Sequence, residues 1–182
     1  MGEYYFDIET YSPGEKPSPE DRIITIQFQR IDLKTGEPIG DLIILKEWES
    51  SEEQIVTEFY NRFFREGLSI WKFIPVGYNL NFDFECLICK FEKYLGIKLS
   101  SRDLHYERPH VDLKPMCVLL NEGEFKGLTL DKFTKKPHSG EIVTKWYENK
   151  EFDKIEKYIK EEAETFLEFL QKIIRNIHKL LE

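Results

Sequence analysis

Little in this sequence would carry it into or across a membrane. No apolar run approaches the roughly 20 residues that a spanning helix needs. Acids crowd the start, where a secretory signal would place basic and then apolar residues, so no such signal is expected. Cysteine is scarce, three in 182 residues, which argues against a disulfide framework and fits a reducing, cytoplasmic compartment. Positive charge is also short. Lys and Arg number 26 against 34 Asp and Glu, a net charge of −8, so the chain is not a generally basic nucleic-acid binder. A local basic patch stays open, as does a site where bound cations carry the positive charge. Asn and Gln are few beside Lys and Glu, a leaning seen in thermophile proteins.

What is present is enough for a core. Hydrophobic residues make up 41% and aromatics 14%, which excludes disorder as the main state, and the length suits one domain over residues 1–182. "YYFDIETY" (residues 4–11) reads as a strand, and residues 12–20 as a Pro- and Gly-rich loop. From Ile23, Ile24, Ile26 and Phe28 alternate with Thr25, Gln27 and Gln29, which is strand periodicity. "KTGEP" turns the chain into a returning strand over residues 39–48. Ser51 and Gln54 have the spacing of a capping box, and the helix they open would close at Gly67. Residues 73–79 read as a strand, and a short helix from about Asp83 to Tyr94 closes at Gly96. Between residues 99 and 136 only a short strand at "HVDL" and a short helix at "LTLDKF" stand out. From Glu151 onward a long amphipathic helix is expected. Cys86 and Cys89 sit in the apolar run "FECLICKF" and read as one turn of a buried helix. The order of elements suggests a mixed-sheet α/β domain.

The acids are less ordinary. In a strand, residues two apart share a face, so Asp7 and Glu9 project together, away from Tyr4, Phe6 and Ile8. Two ionised carboxylates that close are costly without a cation between them; a solvated face is the plainer alternative. In the last helix Glu162 falls in the middle of the apolar stripe of Ile155, Ile159, Phe166, Phe169 and Ile173, whereas Glu161 falls on the solvent side. An acid centred on a buried face is expensive unless paired or metal-bound. Tyr158 lies one turn earlier and can approach the same point. Asp83 stands near a helix start after a strand end, where an N-cap and a ligand position are both reasonable.

"FDIET", "GYNLNFD" and "YIKEEAET" resemble, in order, the three motifs of the DEDD superfamily of 3′–5′ exonucleases, to which polymerase proofreading domains belong. The first matches at Asp7 and Glu9, the second at Asp83, and the third at Tyr158 and Glu162, with the tyrosine pointing to the tyrosine branch. "HVDL" and "GLTLDKF" are similar to intervening segments, so the resemblance spans nearly the whole chain. It departs at Glu162, where the family usually has Asp.

The resemblance implies an RNase H-like α/β fold, a mixed central sheet flanked by helices with a long C-terminal helix. It also implies a two-ion Mg²⁺ or Mn²⁺ site held by Asp7, Glu9, Asp83 and Glu162. Asp7 would bridge both ions, Glu9 and Glu162 would hold the nucleophile-side ion, and Asp83 would act on the other. Tyr158 would orient the attacking water; an ordinary phenol, with a pKa near 10, is a poor base at neutral pH. If the longer Glu162 is not accommodated, a preference for Mn²⁺ is expected. The implied activity is 3′–5′ exonucleolytic removal of nucleotides from single-stranded DNA, with RNA as an alternative. Thr10, Asn79, Lys135 and Lys136 are the candidate substrate contacts, the lysines lying in the basic stretch "KFTKKPH". A polymerase or repair partner and a homo-oligomer around the strand are further expectations. An endonuclease or RNA-processing enzyme on the same fold, and a binding module that has lost its chemistry, remain as alternatives. Trp48, Trp71 and Trp146 read as core or surface-anchor residues rather than base-stacking platforms, Asp112 as the end of a structural strand, and His138 as a loop residue.

Overall fold

The computed structural model describes residues 2–14, 16–134, 141–177 and 179. A mixed six-stranded sheet lies at its centre. Strand β1 (Glu3–Tyr11) pairs antiparallel with β2 (Arg22–Asp32) and parallel with β5 (Ile74–Gly77), which pairs in turn with β6 (Val111–Asp112). On the far side of β2 the returning chain is broken into two short strands, β3 (Glu37–Pro38) and β4 (Ile43–Lys46). The single strand expected over residues 39–48 is thus shortened to β4, with β3 just before that range. Gly40, at φ 85°, turns the chain between the two pieces, and Trp48 falls in a 3₁₀ turn (Glu47–Glu49).

Helices cover both faces. On one face lie α1 (Glu52–Phe63) and α2 (Leu80–Leu95), enclosing Phe6, Ile8, Ile26, Phe28, Phe59 and Phe91. The Ser51 hydroxyl accepts the Gln54 N–H at 3.2 Å, as its spacing suggested, but α1 stops at Phe63 rather than at Gly67. Gly96, at φ 67°, caps α2 as expected. On the other face the long helix α7 (Phe152–Ile177) lays Phe166 and Leu170 over Tyr5 and Val76. Burying side chains of this size contributes roughly 1.5–3 kcal/mol each, and Phe166 also packs on the Tyr5 ring at 5.1 Å.

Between residues 99 and 150 the structure adds α3 (Ser101–His105), α4 (Leu113–Leu120) and α6 (Glu141–Glu148) to the two elements legible there, β6 and α5 (Leu130–Phe133). The first three are five to eight residues long, which allows barely two turns of hydrophobic period.

One expectation about β2 is corrected. Its alternation breaks at a register shift opposite Glu9 and Thr10, and Ile24 packs with Ile155, Tyr158 and Ile159 rather than in the cluster of Ile26 and Phe28. Such an irregularity adds twist and redirects a side chain. Thr25 and Gln27, on the other face, are also fully buried.

Candidate active site

The carboxylates converge where the sheet splits. Asp7 and Glu9 point from β1 to the face covered by α7, and Glu162 reaches them from that helix. One oxygen from each of the three lies within 4.8 Å of the others. Glu162 is 8% exposed, so its extra methylene is accommodated inside the protein and its carboxylate still reaches the pair. Asp7 and Glu9 are half-buried beside α7 and lie with Glu162 at one point.

Asp83 stands beside this trio without joining it. Beyond Tyr5 the pairing of β1 with β5 ends, and the Asp83 Oδ1 accepts the freed Ile8 N–H at 3.0 Å. The sequence placed Asp83 as an N-cap candidate; in fact α2 starts three residues earlier, at Leu80, with Asn79 at the cap in a left-handed conformation (φ 66°, ψ 39°). Gly77 allows the close approach that makes this possible. A Cβ there would lie 2.7 Å from the Phe6 carbonyl oxygen and 2.5 Å from the Leu80 side chain.

Burial, and then the charge of Asp7, push the Asp83 carboxyl well above the usual range, against the Ile8 N–H that favours its charged form. Tyr158, 2% exposed, has its phenol driven far up by burial, then by the charges of Glu9 and Glu162, a hydrogen bond to Glu162, and Asp7. These effects favour the protonated phenol. Both shifts come first from burial and then from neighbouring carboxylates, and the donor set is all carboxylate, the chemistry that suits hard divalent cations. The residues therefore fit Mg²⁺ or Mn²⁺.

A cleft of about 300 Å³ opens beside Asp7 and Glu162. Asn79, Lys114, Leu128 and Asp131 are among its lining residues. The Lys114 Nζ donates to the Asn79 Oδ1 at 2.8 Å. Asp112 joins the two strand ends, its Oδ1 accepting both the Asn79 N–H and the Lys114 N–H at 2.9 Å, which agrees with a structural role. Sequence reading missed Lys114; its only signal was a cation directly after "HVDL", just past a strand end. Thr10 lies past the bulge, its hydroxyl 2.9 Å from that of Ser12, and does not line the cleft. Lys135, Lys136 and His138 lie outside the described residues. Trp146 packs against Tyr158 at 6.1 Å, Trp48 stacks on Phe152 at 4.7 Å, and Trp71 is half exposed.

No family model and no curated protein matches the chain. Solved structures do. E. coli exonuclease I in complex with a dT13 oligonucleotide is 14% identical with a TM-score of 0.52, over 71% of this chain and 34% of that one. A product-bound exonuclease I is 14% identical with a TM-score of 0.51, over 72% and 37%. An ExoI/SSB-Ct complex is 14% identical with a TM-score of 0.51, over 71% and 34%. The chain thus spans about a third of the length of the structures it matches. At this identity the likeness is one of fold.

Proposed function

We propose that the protein is a metal-dependent 3′–5′ exonuclease of the tyrosine branch, acting on single-stranded DNA as a single domain over residues 1–182. The observation that carries this reading is the meeting of Asp7, Glu9 and Glu162 within 4.8 Å, beside a cleft on an exonuclease fold. Asp7, Glu9 and Glu162 would hold the divalent ions, with Asp83 supporting from its place on Ile8. Bound there, two such ions would activate water and neutralise charge developing on the phosphodiester.

The chain's own residues do the rest. Tyr158, whose burial favours its protonated form, donates a hydrogen bond and orients the attacking water rather than taking its proton. The cleft receives the terminal nucleotide, with Asn79 and Lys114 as its polar wall, and Lys114 offers positive charge to a phosphate. Thr10, Lys135 and Lys136 are proposed along the strand's path. The dT13 bound to E. coli exonuclease I supports a single-stranded substrate, and the ExoI/SSB-Ct complex supports a repair partner.

The test uses 5′-labelled single-stranded DNA and RNA with Mg²⁺, Mn²⁺ or EDTA, alongside Glu9→Gln. The expected result is a DNA ladder shortening from the 3′ end, abolished by EDTA and slowed about 10³-fold or more by the substitution, since several kcal/mol of charge stabilisation are removed. Internal cuts would indicate an endonuclease instead. No cleavage of either nucleic acid would leave binding as the function.

A further inference from the structure

We propose that Gln27 is a positioning residue for Asp7 and sets the affinity of the carboxylate cluster for divalent cations. The inference rests on the reading of that cluster as a cation site. Gln27 lies directly opposite Asp7 in the antiparallel pairing of β1 and β2, and Thr25 lies opposite Glu9, so all four side chains share one face of the sheet. The Gln27 Nε2 donates to the Asp7 Oδ2 at 2.7 Å, and the Thr25 Oγ1 donates to the Gln27 Oε1 at 2.9 Å. Both β2 residues are fully buried.

The direction of the relay matters. An amide can present either its carbonyl oxygen or its NH₂ to a neighbour. The ionised Asp7 carboxylate only accepts and so takes the NH₂, and the Thr25 hydroxyl then donates to the oxygen, which supports that one amide orientation. The result is a carboxylate whose plane is locked by a neutral donor. A lysine or arginine in the same place would also hold Asp7, but its charge would compete with the incoming cation. Burying an amide costs free energy unless its hydrogen bonds are made. A core strand would ordinarily fill these positions with Val, Ile or Leu, as β2 does at Ile23, Ile26 and Phe28. The polar pair serves the acid in front of it. Partners that orient a metal-ligating side chain typically contribute 10–100-fold in metal affinity.

The measurement is a titration of Mn²⁺ alone into the protein, free ion followed by electron paramagnetic resonance, with circular dichroism to confirm folding. Gln27→Leu should bind Mn²⁺ about 10–100-fold more weakly. Thr25→Val should weaken it less, and Thr25→Ser, which keeps the hydroxyl, should match the unaltered protein. The lost nuclease rate of Gln27→Leu should return as Mn²⁺ is raised, with KM for DNA unchanged. Folded Gln27→Leu with unaltered Mn²⁺ affinity would overturn the proposal while the cation site stands. If Gln27→Leu fails to fold, folded Thr25→Val with unaltered affinity overturns it equally. An unaltered protein that binds no Mn²⁺ would remove the cation site itself, and this proposal with it.

Discussion

At the scale of single residues, Tyr158 separates two kinds of chemistry. Burial, and then the charges of Glu9 and Glu162, hold its phenol far above its ordinary pKa of about 10. A group raised in this way favours its protonated, hydrogen-bond-donating form. Tyr158→Phe should lower kcat by about 10²-fold, the lower end of what a positioned proton-handling group contributes, with KM little changed. The shape of the pH–rate profile should be the same in both proteins. An alkaline limb present in the unaltered protein and missing in Tyr158→Phe would show the phenol acting as a base and refute this role. Glu162 was legible as an acid out of place on an apolar stripe. That its longer side chain still reaches Asp7 and Glu9 was not, because the gap between a helix and a sheet is set by every side chain packed between them.

Among the elements, the join between β5 and α2 positions the most with the least material. Gly77 has no side chain to hold β5 away from the Phe6 carbonyl, and the chain then turns through a left-handed Asn79 straight into α2. Gly77→Ala would place a methyl against backbone as well as against Leu80. It should cost about 1–3 kcal/mol, the usual penalty for overfilling a packed core, read as a lower urea midpoint. Asp83 would move with the helix, so metal affinity should fall in the same variant. Unaltered urea stability would mean that the approach is looser than described. The sequence pattern found the strand and the helix here, but it began the helix at Asp83. Leu80 keeps the helical period of Phe84, Leu87 and Phe91, so the period itself already reached one turn further back. The turn before the helix is held by Asp112, distant in the chain, whose carboxylate takes the Asn79 N–H.

Across the whole molecule, one buried ion pair ties the first half of the chain together. Lys90 of α2, 2% exposed, lies 3.0 Å from the Glu52 carboxylate of α1 and donates to the Glu20 carbonyl at 2.9 Å. Glu52 also accepts the Ile23 N–H at 2.8 Å and the Tyr94 hydroxyl at 2.5 Å. Burial alone would raise its carboxyl; Tyr94, Ile23 and Lys90 outweigh that and hold it below the usual value. A depressed folded pKa contributes stability that is fully present above the unfolded value, about 4.3, and is lost as pH falls through the folded one. Urea stability should therefore decline below about pH 4.3. Glu52→Gln should cost about 3–5 kcal/mol at neutral pH by stranding Lys90, and should flatten that acid limb. Equal midpoints for the two proteins at pH 7 would refute the role of the pair.

The sequence by itself determined the alternation of β1, the amphipathic length of α7, and the identity of each acid in the cluster. These are local properties, written in residue types a few positions apart. Only the tertiary structure decided that α7 brings Glu162 to Asp7 and Glu9, that Asp83 is spent on the Ile8 N–H, and that Gln27 and Thr25 stand buried behind Asp7. A glutamine and a threonine in a strand look the same whether they face water or a carboxylate. The difference lies in the strand paired opposite and the helix packed above, which no local period encodes.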